Sequence, residues 1–392
     1  MWAFLCLSLL FADPPADEAI ARAKVPNDAE TLDEPQADAA PEAPAVAVNQ
    51  HPDWVAPAPL EGEIPRWVQH IPVPRETVEE LAVRYLVKPS QIRRWNNMED
   101  DEQPRPARGK RKAKTLRIYA HRVTPQKQTL EHVVRDDEGW GSIGRAYGVD
   151  PSDLRAWNWT RTGRTVEAGE TLTIWIDPVV FDAIVHDRPA DPRQAKVRAG
   201  AHGVGTPQEG RLVSGVRLPE GPGYWRKYPN SAWGTTYAVR ATVDALARFV
   251  QLSTYPNPLR VGTFSRQRGG HVGGHVSHQS GRDVDIRLPL RVEVPQALQP
   301  TLRRVDWMAV YHLIKAFADT GAVQVVFLDY RSQKRLYTVA KENGVSEEEL
   351  DVLLQYPIGS AASRGLVRHE PGHADHIHVR FHCGPAEPEC VK

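Results

Sequence analysis

Two stretches of the chain share one pattern of apolar and polar positions. Leu81, Tyr85, Val87, Pro89, Ser90, Ile92, Arg93, Trp95 and Asn96 recur in register as Ile143, Tyr147, Val149, Pro151, Ser152, Leu154, Arg155, Trp157 and Asn158. The apolar spacing in each copy predicts a helix, a turn and a second helix. Pro89 and Pro151 fall near the start of the second helix, where a missing N–H costs nothing. Strand-like runs at 69–73 and 115–119, and at 131–134 and 171–176, predict a strand on either side. The expectation is one β-α-α-β unit over 66–120 and a second over 128–177. Residues 178–206 are polar, carry Pro189 and Pro192, and read as a linker. Past 207 the period changes. Helical spacing over 238–251 and 307–320 alternates with strand-like runs at 283–288, 324–328 and 376–381. Residues 331–356 read as a further helix-turn-helix, either packing or an insertion on the substrate side. Residues 207–392 are long enough for one α+β domain with its own core.

Upstream, 13–65 is rich in Pro, Ala, Glu and Asp, has no sustained hydrophobic period and reads as a linker. Residues 1–12 are apolar, too short to span a bilayer, and end in the small residue Ala12, like the core of a secretory signal. No other stretch is long and apolar enough for a transmembrane anchor. The expected location is therefore exported: periplasmic, secreted or wall-associated. Lys plus Arg is 49 and Asp plus Glu is 49 over 392 residues. That balance gives no reason to expect a nucleic-acid partner. A basic run over 105–114 is a local exception and reads as a solvated loop or a contact for an anionic polymer. Cys6 would leave with a signal, and Cys383 and Cys390 then remain as a candidate disulfide in an oxidising compartment.

The chemistry concentrates in two strings, HVSHQSGRDVDI over 275–286 and HADHIHVR over 373–380. Neutral imidazole and carboxylate are ligands that zinc prefers, and three of them leave a fourth position open. As strands, 283–288 and 376–381 put Asp283 and Asp285 on one face, and His376 and His378 on one face. Side by side, they would offer Asp285 and His378 to one ion, with His278 arriving from the preceding loop.

The repeats resemble the LysM domain, which implies binding of N-acetylglucosamine-containing glycans such as peptidoglycan. The second copy is the closer match; the first departs through its 105–114 insertion. The two His-rich strings resemble the penicillin-insensitive murein endopeptidases, of the LAS group of zinc peptidases. That resemblance implies an α+β domain with a central antiparallel sheet and a zinc site; no residues suggest a second site, so one ion is expected. It implies His278, Asp285 and His378 as ligands, with His275 a further candidate. It implies His376 as catalytic base and His373 as a second active-site histidine that stabilises the oxyanion. Asp283 would orient a ligand histidine, Gln279 and Ser280 would be polar scaffolding, and Cys383 and Cys390 match a cysteine pair of the family. The expected function is hydrolysis of D-alanyl–meso-diaminopimelyl crosslinks, with the repeats on the glycan. The alternatives are a D-Ala-D-Ala carboxypeptidase of the same group and a non-catalytic peptidoglycan-binding wall protein.

Overall fold

The computed structural model describes residues 50–51, 54–56, 66–158 and 165–392. The signal-like segment 1–12 and most of the linker 13–65 lie outside the described residues.

Both repeats form the expected units. The first comprises β1 (Arg66–His70), α1 (Val78–Tyr85), α2 (Pro89–Asn96) and β2 (Leu116–Ala120). The second comprises β3 (Gln128–Val133), α3 (Trp140–Tyr147), α4 (Pro151–Trp157) and β4 (Thr171–Ile176). The strands of each unit pair antiparallel. The helix–helix turn is the same in both: Val87 N–H reaches Ala82 O at 3.0 Å, and Val149 N–H reaches Gly144 O at 2.9 Å. Each copy also buries a histidine between a carboxylate and a tyrosine. His70 lies 2.6 Å from Glu76 and 2.8 Å from Tyr85, and His132 lies 2.6 Å from Glu138 and 3.0 Å from Tyr147. Glu76 and Glu138 accept a backbone N–H as well, from Val73 and Arg135, which pins the loop leading into the first helix.

The expected linker after the second repeat opens with a helix. Asp177 caps Val179 N–H, Pro178 takes a first-turn position, and α5 runs over Pro178–His186. Its Val180, Phe181 and Ile184 close the apolar core of the second repeat. The two prolines that argued against a helix lie beyond it, and one of them opens the short helix α6 (Pro192–Ala195). Trp54, inside the other expected linker, packs edge-on against Phe181 with ring centroids 5.0 Å apart.

The C-terminal part begins with a hairpin of β5 (His202–Gly205) and β6 (Gly210–Val213), which straddles the expected boundary at 206. A small pair follows, β7 (Val216–Arg217) with β9 (Trp233–Gly234). The main sheet has six strands: β8 (Tyr224–Arg226), β10 (Leu259–Val261), β11 (Asp283–Arg287), β12 (Val323–Phe327), β13 (Val367–Arg368) and β14 (His376–Phe381), ordered β13-β12-β14-β11-β10-β8. Its four inner strands pair antiparallel and both edge strands pair parallel, so the sheet is mixed where an antiparallel one was expected. Helices α7 (Thr236–Leu252) and α8 (Trp307–Ala318) pack on each other and on one face of it. Val284, Ile286, Ile377, Val379 and Phe381 point into that core. The alternate residues of the same strands are therefore left for the other face. Residues 331–356 form α9 (Tyr330–Glu342) and α10 (Glu347–Leu353), joined by the turn seen in the repeats, with Val345 N–H on Ala340 O at 3.1 Å.

A buried charge cluster ties the first repeat to the C-terminal tail. Arg84 is fully buried and contacts Asp177 at 2.6 Å, Glu389 at 3.2 Å and the carbonyl of Pro125. Lys127 adds a contact of 3.6 Å to Glu389 and another to Glu76. Burial alone would lift the Glu389 pKa, but Lys127 and Arg84 hold it down at about 2. Removing one partner strands buried carboxylates. Arg84→Ala is expected to destabilise the protein by about 3–5 kcal/mol, read as a lowered unfolding midpoint in calorimetry; an unchanged midpoint would show that the cluster is incidental.

Candidate metal centre

The geometry starts from strand register. β11 and β14 pair antiparallel with Asp285 opposite His378 and Asp283 opposite Arg380. Directly opposed side chains on one face stand about 5 Å apart at Cβ. The core demands Val284, Ile286, Ile377 and Val379 on its side, so Asp283, Asp285, His376, His378 and Arg380 must share the other face.

His278 reaches the same point from the loop before β11. Its backbone is left-handed, with φ 69°. Its backbone N–H is held by Asp283 Oδ2 at 3.1 Å, and Nδ1 lies 2.6 Å from Phe264 O. A carbonyl only accepts, so Nδ1 carries the proton and Nε2 presents a lone pair. The loop is fixed on its far side by Gln279 N–H on Pro207 O at 3.0 Å. Gly281 is required there: its φ is +74°, and a Cβ would stand 2.9 Å from Leu212 Cδ1. The polar scaffolding expected of Gln279 thus runs through its backbone.

Donor atoms converge on Asp285. Oδ1 lies 3.3 Å from His278 Nε2 and 3.2 Å from His378 Nδ1, and Oδ2 lies 3.6 Å from His275 Nδ1. His275, His278 and Asp285 each bring a donor atom within 4.8 Å of the others. A tetrahedral ion with bonds of about 2.1 Å sets its ligand atoms about 3.4 Å apart. His278 Nε2 and Asp285 Oδ1 are buried and make no hydrogen bond. Such orphaned groups cost about 1–3 kcal/mol each unless something binds them. These residues therefore suit a divalent zinc-like cation.

Around this set stand the groups that aim it. Asp283 is fully buried, accepts from Arg380 at 2.8 and 3.2 Å, and lies 3.4 Å from His378 Nε2. Burial would raise the pKa of Asp283, but His378 and Arg380 outweigh it and hold the carboxyl well below its usual range. Asp285 is likewise depressed, with burial outweighed by His278 and His378. For His378, burial opposes protonation but Asp283 and Asp285 prevail, pushing the pKa of the metal-free protein up to about 9.

His376 is half-buried at the start of β14, with Nδ1 2.7 Å from Asp375 Oδ1 and Nε2 3.8 Å from Asp285 Oδ1. An ionised Asp375 accepts from Nδ1–H, which leaves the Nε2 lone pair toward the cluster. Asp375 is a partner that sequence reasoning missed; its only signal was its place next to His376. His373 stands 4.9 Å from His376 and 5.4 Å from His378 between ring centroids. Burial, then His378 and His376, depress its pKa to about 4. Its Nδ1 lies 3.1 Å from Pro371 O, so in the neutral ring Nε2 accepts rather than donates. Stabilising an oxyanion would require the proton on Nε2 instead. Cys383 and Cys390 are bonded just beyond β14, and the buried Arg282 donates to Cys383 Sγ at 2.9 Å.

The site defines a protein with a His/Asp cluster suited to a metal ion on the sheet of an α+β domain. Residues 203–347 match the family model described as penicillin-insensitive murein endopeptidase, and residues 73–106 and 132–175 match the LysM domain. The chain thus carries a domain of that endopeptidase family together with two LysM domains, in line with the resemblance read from its motifs. The endopeptidase match stops short of His373, His376 and His378. No curated protein matches the chain. Among solved structures, the Bacillus cereus spore cortex-lytic enzyme SleL aligns at 12% identity with a TM-score of 0.13, over 45% of this chain and 37% of that one. So distant an alignment carries no argument.

The folded pKa of His378 lies above the unfolded value of about 6.5. Its stabilisation of the metal-free protein is complete below that pH and is lost as pH rises through about 9. A cation taking Nδ1 must displace that proton, so metal affinity should climb over the same interval. Calorimetric titration with zinc across that range is expected to show rising affinity and proton release; affinity independent of pH would exclude His378 as a ligand.

Proposed function

We propose that the chain is a zinc-dependent murein endopeptidase that cleaves the D-alanyl–meso-diaminopimelyl crosslink of peptidoglycan. The observation that carries this reading is the opposition of Asp285 and His378 across β11 and β14, with His278 closing on them. His278, Asp285 and His378 would hold the ion, with His275 beside them. Zinc there would supply a Lewis acid that polarises the scissile carbonyl and acidifies water.

The protein's own groups do the rest. His376 offers Nε2 as the atom that takes a proton from the attacking water, and Asp375 steadies the resulting imidazolium through Nδ1–H. Asp283, locked by Arg380, fixes the ring of His378 from behind. His373 stands beside His376 and, with its proton on Nδ1, offers Nε2 as a second acceptor at the cluster. No serine carries the reaction, so a β-lactam finds no nucleophile to acylate. The LysM domains would keep the enzyme on an insoluble substrate and raise the local concentration of crosslinks. An exported location follows from that substrate; among the described residues no helix is long and apolar enough to cross a membrane.

Mass spectrometry of the products from purified sacculi tests the reading. The expected outcome is loss of crosslinked dimers with matching monomers released, insensitive to penicillin and abolished by chelator. Release of D-alanine alone, with dimers intact, would assign the carboxypeptidase reaction instead. His376→Ala is expected to lower kcat by about 100-fold or more while the purified protein retains its zinc; loss of the metal as well would make His376 a ligand.

A further inference from the structure

The outer face of the first repeat is unlike that of the second. On β1 and β2 the inward residues Val68, Leu116 and Ile118 meet the helices, and Trp67, Gln69, Arg117 and Tyr119 point away. Trp67 is 48% exposed. Its ring stands 5.4 Å from Trp95 and 5.3 Å from Tyr119, both edge-on, and the Arg117 guanidinium lies 4.4 Å from its centroid. In the second repeat the corresponding β3–β4 pairs are Thr129 with Trp175 and Glu131 with Thr173, and Trp157, the counterpart of Trp95, donates its indole N–H to Pro74 O of the first repeat at 3.0 Å. Among the described residues, the second repeat sets the single half-buried Trp175 on this face, and the first repeat sets Trp67 and Tyr119 there with Trp95 at the edge.

The insertion feeding β2 is also ordered. Arg108 and Arg111 exchange backbone hydrogen bonds of 3.0 Å, closing a two-residue turn in which Gly109 takes φ +58°. Lys114 N–H returns to Arg105 O at 3.0 Å. Arg105, Arg108, Lys110, Arg111, Lys112 and Lys114 are all exposed. The acidic turn at the base claims Arg105, through Glu102 at 2.5 Å, and among the described residues the tip cations Arg108, Lys110, Arg111 and Lys112 form no ion pair. This hairpin lies outside the LysM match, which ends at 106. It continues directly into the strand that carries Arg117 and Tyr119.

We propose that this basic-aromatic face is a second contact for the murein strand, resting on the reading of peptidoglycan as the substrate. A sugar ring presents a flat C–H face that suits the exposed side of Trp67. The free carboxylates of stem peptides supply the anions that the hairpin tip lacks. The charge on that tip, in a chain whose net charge is zero, selects an anionic glycopeptide over a neutral glycan. Arg84 on α1 is committed to Asp177 and Glu389, a cluster that does not include Trp67, Arg117 or Tyr119.

The test is cosedimentation of the full chain with purified sacculi at low and raised salt, beside cleavage of a soluble crosslinked muropeptide dimer. Lys110→Glu with Arg111→Glu and Lys112→Glu should weaken sacculus binding by about tenfold or more at low salt and flatten its salt dependence. Trp67→Ala should weaken binding by about tenfold and leave the salt dependence unchanged. Neither should alter cleavage of the soluble dimer. Wild-type binding by both variants would overturn the proposal. So would a loss confined to sacculi that still carry phosphate polymers, because the occupant would then be that polymer. Failure of the wild type to cleave the soluble dimer would count against the endopeptidase reading, and the binding comparison would still decide on the face.

Discussion

The antiparallel register of β11 against β14 is the constraint on which the rest depends. One residue of slip would send Asp285 and His378 into the core and expose Ile286 and Ile377. The apolar packing against α7 and α8 resists that slip, because both strands bury their alternate residues completely. Placement of the candidate ligands is thus a by-product of core formation. Sheet burial supplies the rigidity that a metal cluster needs, and the loop through Ser277 and His278 only has to be pinned at its ends.

Electrostatics alone would scatter this cluster. Two buried carboxylates and two to three histidines stand within a few ångströms, and each carboxylate is held ionised by its neighbours against the effect of burial. In the metal-free protein a proton on His378 does the balancing. A divalent cation would replace that proton with a stronger and better-placed charge. Arg380 has a separate duty: it neutralises Asp283, which leaves Asp285 as the carboxylate free to bind.

Much of this was legible in the chain. Period-two alternation in 283–288 and 376–381 placed the aspartates and histidines on shared faces before any pairing was known. The repeats were legible because helix, turn and helix recur with the same prolines and tryptophans. The partners across elements were not legible. Phe264 O on His278, Arg380 on Asp283 and Asp375 on His376 depend on register and on loop closure, which composition does not encode. Helix α5 was obscured by its neighbours: Asp177 and Pro178 form an ordinary helix start, but prolines a few residues later drew the whole segment into a linker. The parallel edge strands β8 and β13 are three and two residues long, too short to leave a periodic signal.

X-ray absorption spectroscopy of the zinc-loaded protein tests the central claim most directly, because it reads the ligand atoms themselves. The account predicts a shell of nitrogen and oxygen alone at about 2.0–2.1 Å, with the outer-shell scattering of two or three imidazoles. Sulfur at about 2.3 Å, or a shell without imidazole scattering, would contradict it and place the metal away from His278, Asp285 and His378.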